Sequence, residues 1–233
     1  MKSLTTTLFA AMLVLGMSNA FAQKTEDRHL TGFNAISVGG SYDVYVTQGS
    51  TESVKVVAPE DEMEHIVTEV QNGVLKIYNR KDDWNWSWGG HKKEMVYVTI
   101  KEVNAIGVSG SGDVFFKDGI SSPSLKLRVS GSGDVTGKLD VKTLESHISG
   151  SGDMKLSGKA DDCTINISGS GDYTARDLVT INTAIHVSGS GDASVNASQK
   201  IDASVSGSGD IKYTGSATQV SISKHGSGSV HRG

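Results

Sequence analysis

Ser109-Gly110-Ser111-Gly112-Asp113 returns unchanged at 130–134, 149–153, 168–172, 188–192 and 206–210. The aspartates that close these copies lie 21, 19, 19, 20 and 18 residues apart, and a degraded copy, His225-Gly226-Ser227-Gly228-Ser229, ends 19 residues past the last. One more copy stands upstream, where Val38-Gly39-Gly40-Ser41-Tyr42-Asp43 follows Phe33-Asn34-Ala35-Ile36 much as Val108 to Asp113 follows Val103-Asn104-Ala105-Ile106. The likeness begins before the glycines, so the repeating unit is a strand together with its turn. A period near twenty with a Gly-rich corner is the signature of a solenoid.

Seven and five positions before each aspartate stand Ile36/Val38, Ile106/Val108, Leu127/Val129, Ser146/Ile148, Ile165/Ile167, Ile185/Val187 and Ala203/Val205. The residue between them is Ser37, Gly107, Arg128, His147, Asn166, His186 or Ser204. Apolar and small or polar positions therefore alternate with the period of a half-buried strand. A second strand follows each corner, with Val114/Phe116, Met154/Leu156, Ala193/Val195 or Ile211/Tyr213 facing inward. No coil can bury its apolar side alone, so the core must come from stacking like on like between coils roughly 4.8 Å apart. The reading is all-β: a single-stranded parallel β-helix, or β-solenoid, with ~19-residue coils. The corner glycines are expected to supply positive φ and close backbone approach, and the aspartates to close the corner locally as Asx-turns.

Residues 1–22 combine Lys2, the apolar run Leu8 to Leu15 and the ending Ala20-Phe21-Ala22, the pattern of a secretory signal peptide. The run is shorter than the ~20 residues of a spanning helix. No cysteine follows the cleavage site to take a lipid anchor. Removing Lys2 changes the formal charge from −4 to −5. No basic stripe points to nucleic acid. Residues 23–31 read as a flexible lead-in, and 32–230 as one β-helical domain. Within it, 32–104 form a more irregular N-terminal cap region and 105–230 the SGSGD coils. In the cap, strands are expected at 32–38, 42–48, 53–58, 74–78 and 95–100, a single helical turn at 59–66, and a hairpin turn at Asn72-Gly73. Lys224 in a formerly apolar column suggests a polar cap at the other end. Cys163 falls in the column of Leu125, Leu144 and Ile201, which makes it a core residue rather than a reactive thiol.

Trp84, Trp86 and Trp88 are the three tryptophans of the chain, and all lie in the stretch 81–91 between two expected strands. Rings on a loop suit a sugar face, a partner protein or a membrane interface, and they suit equally a lid over the apolar end of the coil. The column Asp113, Asp134, Asp153, Asp172, Asp192 and Asp210 stacks carboxylates ~4.8 Å apart, which repel by about 0.9 kcal/mol in water. Water or a cation must screen them. Calcium is one candidate, but each coil offers a single carboxylate, and Asp is an ordinary turn residue. The outward stripe Lys126/Arg128, Glu145/His147, Thr164/Asn166, Ala184/His186 and Asp202/Ser204 is mixed in charge. His147 and His186 lie two coils, about 9–10 Å, apart, too far to share a metal.

No nucleophile elbow and no HExxH motif is present, so no catalytic residue and no cofactor is assigned. Lys126, Arg128, Glu145 and His147 are the nearest approach to the carboxylate and basic cluster of a polysaccharide-acting β-helix enzyme. The signal peptide, the phrase Phe33 to Val38, the Trp loop before Val96-Tyr97-Val98-Thr99-Ile100 and the six SGSGD coils together resemble the head GIN domain family, over roughly Phe33 to Val230. The resemblance implies an exported β-helical protein of Bacteroidetes type, labelled a putative auto-transporter adhesin, and transfers no catalytic residues. No translocator barrel follows Gly233, so display on a surface is expected to use another route.

The expectation is an exported, non-enzymatic, adhesin-like binding protein of the periplasm, outer-membrane surface or exterior. Its expected partner is a glycan or a surface protein. A self-associating envelope protein, hence a homo-oligomer, is the alternative, and a polysaccharide enzyme the minor one. No nucleic-acid partner and no transmembrane segment in the mature chain is expected.

Overall fold

The structure, a computed structural model, describes residues 23–80 and 94–233. Residues 1–22, expected to be a signal peptide, and Trp84, Trp86 and Trp88 lie outside the described residues. Among the described residues sixteen strands follow in order: β1 (Gln23–Asp27), β2 (Ala35–Gly39), β3 (Asp43–Gln48), β4 (Ser53–Pro59), β5 (Ile66–Gln71), β6 (Val74–Asn79), β7 (Met95–Ile100), β8 (Ala105–Val108), β9 (Val114–Val129), β10 (Val135–Ile148), β11 (Met154–Ile167), β12 (Tyr173–Val187), β13 (Ala193–Val205), β14 (Ile211–Thr214), β15 (Gln219–Lys224) and β16 (Val230–Arg232).

From β9 to β13 each coil is one long bent strand between two corners, and each pairs in parallel with the next. The result is the expected β-solenoid, of about 7 turns with ~19-residue coils. Leu127, Ser146, Ile165, Ile185 and Ala203 lie over one another, as do Val129, Ile148, Ile167, Val187 and Val205. All ten are buried. Each apolar member contributes up to about 1.5–3 kcal/mol by leaving water. Ser146 is the polar exception, and its hydroxyl lies 3.4 Å from the buried Tyr173 hydroxyl. The same phenol lies 3.8 Å from Cys163 Sγ. Burial pushes the Cys163 thiol up to about 12, and the Tyr173 contact offsets only part of that. A thiol held neutral and enclosed is a core residue, as its column indicated.

The N-terminal region departs from pure winding. The chain enters the stack in its middle, because β2 lies between β6 and β8, and β3 between β7 and β9. Antiparallel strands then close that end: β4 pairs with β7, β1 with β4, and β5 with β6. Asn72 and Gly73 join β5 to β6 with φ of 54° and 76°, the double positive φ of a type I′ hairpin turn. Residues 23–27, expected to be a loose lead-in, are an edge strand held by backbone pairing, which polar side chains do not announce. Residues 60–65 form a turn rather than a helix, with the Met63 N–H donating to the Pro59 carbonyl at 3.1 Å. The strand after it, β5, was not foreseen. At the other end the expected polar cap is incomplete: Lys224 does take the column of Val205, but Val220 and Ile222 on β15 are 44% and 45% exposed.

The corner glycines also correct the expectation. Only Gly226 among them has a left-handed φ, at 137°. The others are required by proximity, since a Cβ on Gly131 would sit 2.0 Å from the Gly110 carbonyl oxygen, and one on Gly150 2.0 Å from that of Gly131. Gly131→Ala is therefore expected to cost about 3 kcal/mol or more in chemical denaturation, because backbone must part from backbone. Gly119→Ala, where φ is +96° and no atom lies within 4 Å of the added Cβ, is expected to cost only the strain of about 1–2 kcal/mol. Equal losses from the two substitutions would remove the proximity argument.

Candidate functional site

The aspartate column is a ladder of hydrogen bonds between coils. Asp113 Oδ1 accepts from the Asp134 N–H at 2.9 Å, Asp134 from Asp153 at 2.8 Å, and Asp153 from Asp172 at 2.7 Å. Asp172 accepts from Asp192 at 2.8 Å, Asp192 from Asp210 at 2.7 Å, and Asp210 from Ser229 at 2.7 Å. The bonds run forward to the next coil rather than back onto their own turn, which corrects the Asx-turn expectation. An N–H between successive carboxylates also relieves part of their repulsion. No three His, Cys, Asp or Glu side chains converge to hold a metal among the described residues.

On the strand before each corner the outward stripe forms as expected, with Glu145 in register with Lys126, and His147 with Arg128. Glu145 accepts from Lys126 Nζ at 2.9 Å and lies 2.5 Å from His147 Nε2. These contacts, His147 foremost, hold the Glu145 carboxyl below its usual range. Hydrolysis of a glycosidic bond needs the reverse, an acid kept protonated by a raised pKa and paired with a second carboxylate. The neighbours of Glu145 and His147 in register are Lys126, Arg128, Thr164 and Asn166. The cluster is an ion-paired surface patch. His147 and His186 are separated by Asn166 and share nothing.

The strand after each corner presents a face that the sequence reading missed. Two residues past the corner aspartates, Tyr45 and Phe115 stack with ring centroids 5.2 Å apart, and Tyr97 stacks on the other side of Tyr45, also at 5.2 Å. The planes differ by only 17° and 22°. Tyr97 is 41% exposed, a large ring left in water on a flat sheet. Stacked this way, the rings cover the faces between them and offer the outside mainly their edges and two phenol hydroxyls, an amphipathic surface. In the next coils the same position carries Thr136, Lys155 and Thr174, in register with Phe115. Lys117 Nζ lies 5.6 Å over the Phe115 ring and joins the ladder to a groove of about 290 Å³ lined by Lys138, Lys155, Arg176 and Asp177. The basic stripe sought in vain along the sequence exists in space, assembled from residues about one coil apart. In the sequence, the tryptophan-bearing stretch 81–91 precedes β7, the strand that carries Tyr97.

Comparison with known proteins accords with this architecture. Residues 32–217 match the family described as "Putative auto-transporter adhesin, head GIN domain". A solved putative adhesin from Bacteroides fragilis is 29% identical, with a TM-score of 0.85 over 91% of this chain and 97% of that one. A solved protein from Parabacteroides distasonis described as a putative lipid binding protein is 24% identical, with a TM-score of 0.72 over 91% and 96% of the two chains. That second likeness is one of fold. No protein of curated function matches the chain.

Two consequences of the ladder can be measured. Asp153→Ala should lower stability by about 1 kcal/mol by leaving the Asp172 N–H without its acceptor, whereas Asp153→Asn keeps an acceptor oxygen and should stay close to the parent. Hydrogen bonds from the Ser229 hydroxyl and N–H hold the Asp210 carboxyl below its ordinary 3.8. A carboxyl depressed in the folded state stabilises above its unfolded value and loses that contribution as pH falls through the folded one. Melting temperature followed downward from about pH 3.8 should therefore drop less in Asp210→Asn than in the parent; an identical slope would discard the linkage.

Proposed function

The chain belongs to the head GIN domain family of putative auto-transporter adhesins, and from that premise we propose that it is an exported, non-enzymatic binding protein of the cell envelope or surface. Its contact surface, in this reading, is the sheet face after the corner aspartates. One observation carries the proposal: the rings of Tyr97, Tyr45 and Phe115 are stacked across three strands and left partly in water, although the apolar columns on the other side of the same strands are enclosed. A row of ring edges and hydroxyls on a rigid sheet is an amphipathic platform, and rigid aromatic area is what binding sites use most effectively. Trp84, Trp86 and Trp88, which precede Tyr97 by nine to thirteen residues in the sequence, are assigned to the same contact surface in this reading. The signal peptide at residues 1–22 supplies export. No helix among the described residues is long and apolar enough to cross a membrane. On the stripe before the corners, Glu145 is ion-paired with Lys126 and has no second carboxylate among its neighbours in register, an arrangement unlike that of a glycoside hydrolase.

A second reading, self-association, is favoured by the exposed Val220 and Ile222. They continue the columns of Ile201 and Ala203, and among the described residues β15 pairs only with β13. An open edge that carries apolar side chains is a template for another strand.

Both readings are testable. On a glycan array, the triple substitution Tyr45→Thr, Tyr97→Thr, Phe115→Thr should reduce binding about tenfold. Threonine is chosen because the chain itself uses it at this position in later coils, as Thr136 and Thr174. Trp84→Ala, Trp86→Ala, Trp88→Ala should act in the same direction, and unchanged binding by both variants at parental melting temperature would refute the contact surface. For association, light scattering after size exclusion should show concentration-dependent oligomers that Val220→Lys, Ile222→Lys abolishes; a monomer at every concentration rejects that reading.

A further inference from the structure

Coils β10 and β11 are shorter just after their corners than the coils on either side. Between Phe116 and Ile120, β9 takes four steps where β10 takes two, from Gly137 to Leu139. Between Thr174 and Asp177, β12 takes three steps where β11 takes two, from Lys155 to Ser157. The unpaired residues bulge from the flanking coils, and the groove of about 290 Å³ lies at these two slips. Four cations line it, Lys117, Lys138, Lys155 and Arg176, against one carboxylate, Asp177. None of the four makes an ion pair among the described residues, whereas Lys126 and Lys159 elsewhere on the coils are paired with Glu145 and Asp140. A local excess of unpaired positive charge on a chain of formal charge −4 repels itself and attracts anions.

We propose that this groove, continuous with the ring ladder through Lys117, binds the carboxylate-bearing stretch of an acidic polysaccharide lying across the strands. The proposal rests on the ring face being the contact surface and adds the class of ligand. Three features select an acidic glycan. The groove and the ladder share one set of adjacent strands, so a single extended polymer meets both. The cations are spread over four consecutive coils, which suits charge repeated along a chain rather than one compact anion. Tyr45 spends both ring faces on its neighbours, Tyr97 and Phe115 spend one each and Lys117 lies over Phe115, so hydroxyl-rich sugars meet mainly edges and phenols. Single-stranded nucleic acid would instead want free ring faces for its bases. A lipid surface would want exposed aliphatic anchors, and the ones the described residues show, Val179, Val220 and Ile222, line neither the ladder nor the groove.

The test measures binding of the mature chain to polygalacturonate, to neutral dextran, to vesicles of phosphatidylglycerol and phosphatidylcholine, and to single-stranded DNA. Polygalacturonate is expected to bind best, and more weakly as salt is raised. The substitution set Lys138→Gln, Lys155→Gln, Arg176→Gln should weaken it about tenfold. The matched set Lys142→Gln, Lys159→Gln, Lys200→Gln removes the same number of cations away from the groove and should leave binding within about twofold. Equal losses from the two sets, or tighter binding of vesicles or DNA than of polygalacturonate, overturns the proposal. Dextran bound as well as polygalacturonate also overturns it, and if the ring substitutions then abolish dextran binding, the contact-surface reading stands without it. Loss of binding in neither the ring variant nor the groove variant removes both.

Discussion

The carbonyl oxygen of each first corner glycine is the point on which the solenoid rests. Gly131 O, for instance, accepts the N–H groups of Ser151 and Gly152 from the next coil at 3.0 and 3.2 Å. Two donors on one acceptor draw the corners so close that a Cβ at Gly150 would stand 2.0 Å from that same oxygen. Side chains are excluded by the very hydrogen bonds that hold the corners together. Once that spacing is set, the registers of the strands on both sides follow from it, and so do the apolar columns and the aspartate ladder. Tyr42 illustrates the rule from the other side. It occupies the place of Gly112 in the first copy, and among the described residues no corner backbone lies beneath it to forbid a side chain.

What could be read in the sequence was whatever repeats at a fixed offset. Val129, Ile148, Ile167, Val187 and Val205 share one offset from their aspartates, so their stacking follows from counting. The ring ladder escaped because its spatial order is Tyr97, Tyr45, Phe115, which is not chain order. The chain starts in the middle of the stack and adds one coil on each side, so the middle ring comes from the earliest strand. The common offset of Tyr45 and Phe115 from Asp43 and Asp113 was a signal that could have been found. Tyr97 follows no such corner and left none.

The ends obey a different physics from the middle. A coil inside the stack is satisfied on both edges by copies of itself, and its sequence is periodic for that reason. The terminal coil has one edge without a copy, and here β4, β1 and β5 cover the first end by antiparallel pairing. Antiparallel cover needs backbone groups and a tight turn such as Asn72-Gly73, not a column of identical side chains. Five polar residues, Gln23 to Asp27, are enough for one such strand, which is why periodicity gave no warning of it. At the far end Val220 and Ile222 retain the apolar pattern of the interior, and among the described residues β15 pairs only with β13.

The unequal spacing of the aspartates gives the sheet a relief that perfectly equal coils would lack. Coils of 21 and 20 residues flank two of 19, and the difference is taken up where the strand leaves the corner, at the slips beside Gly137 and Ser157. The corner itself cannot absorb an extra residue, because its carbonyls and glycines are already in contact, and the strand before it cannot, because its register carries the core columns. From β9 to β12 the length variation is taken up in that one region, whereas β13 slips against β12 both there and again between Thr180 and Asn182. Bulges placed there break the flatness of the sheet without disturbing what holds it together. The groove lies beside the ring ladder because both lie on the strand that follows the corner, where the slips leave the core columns in register.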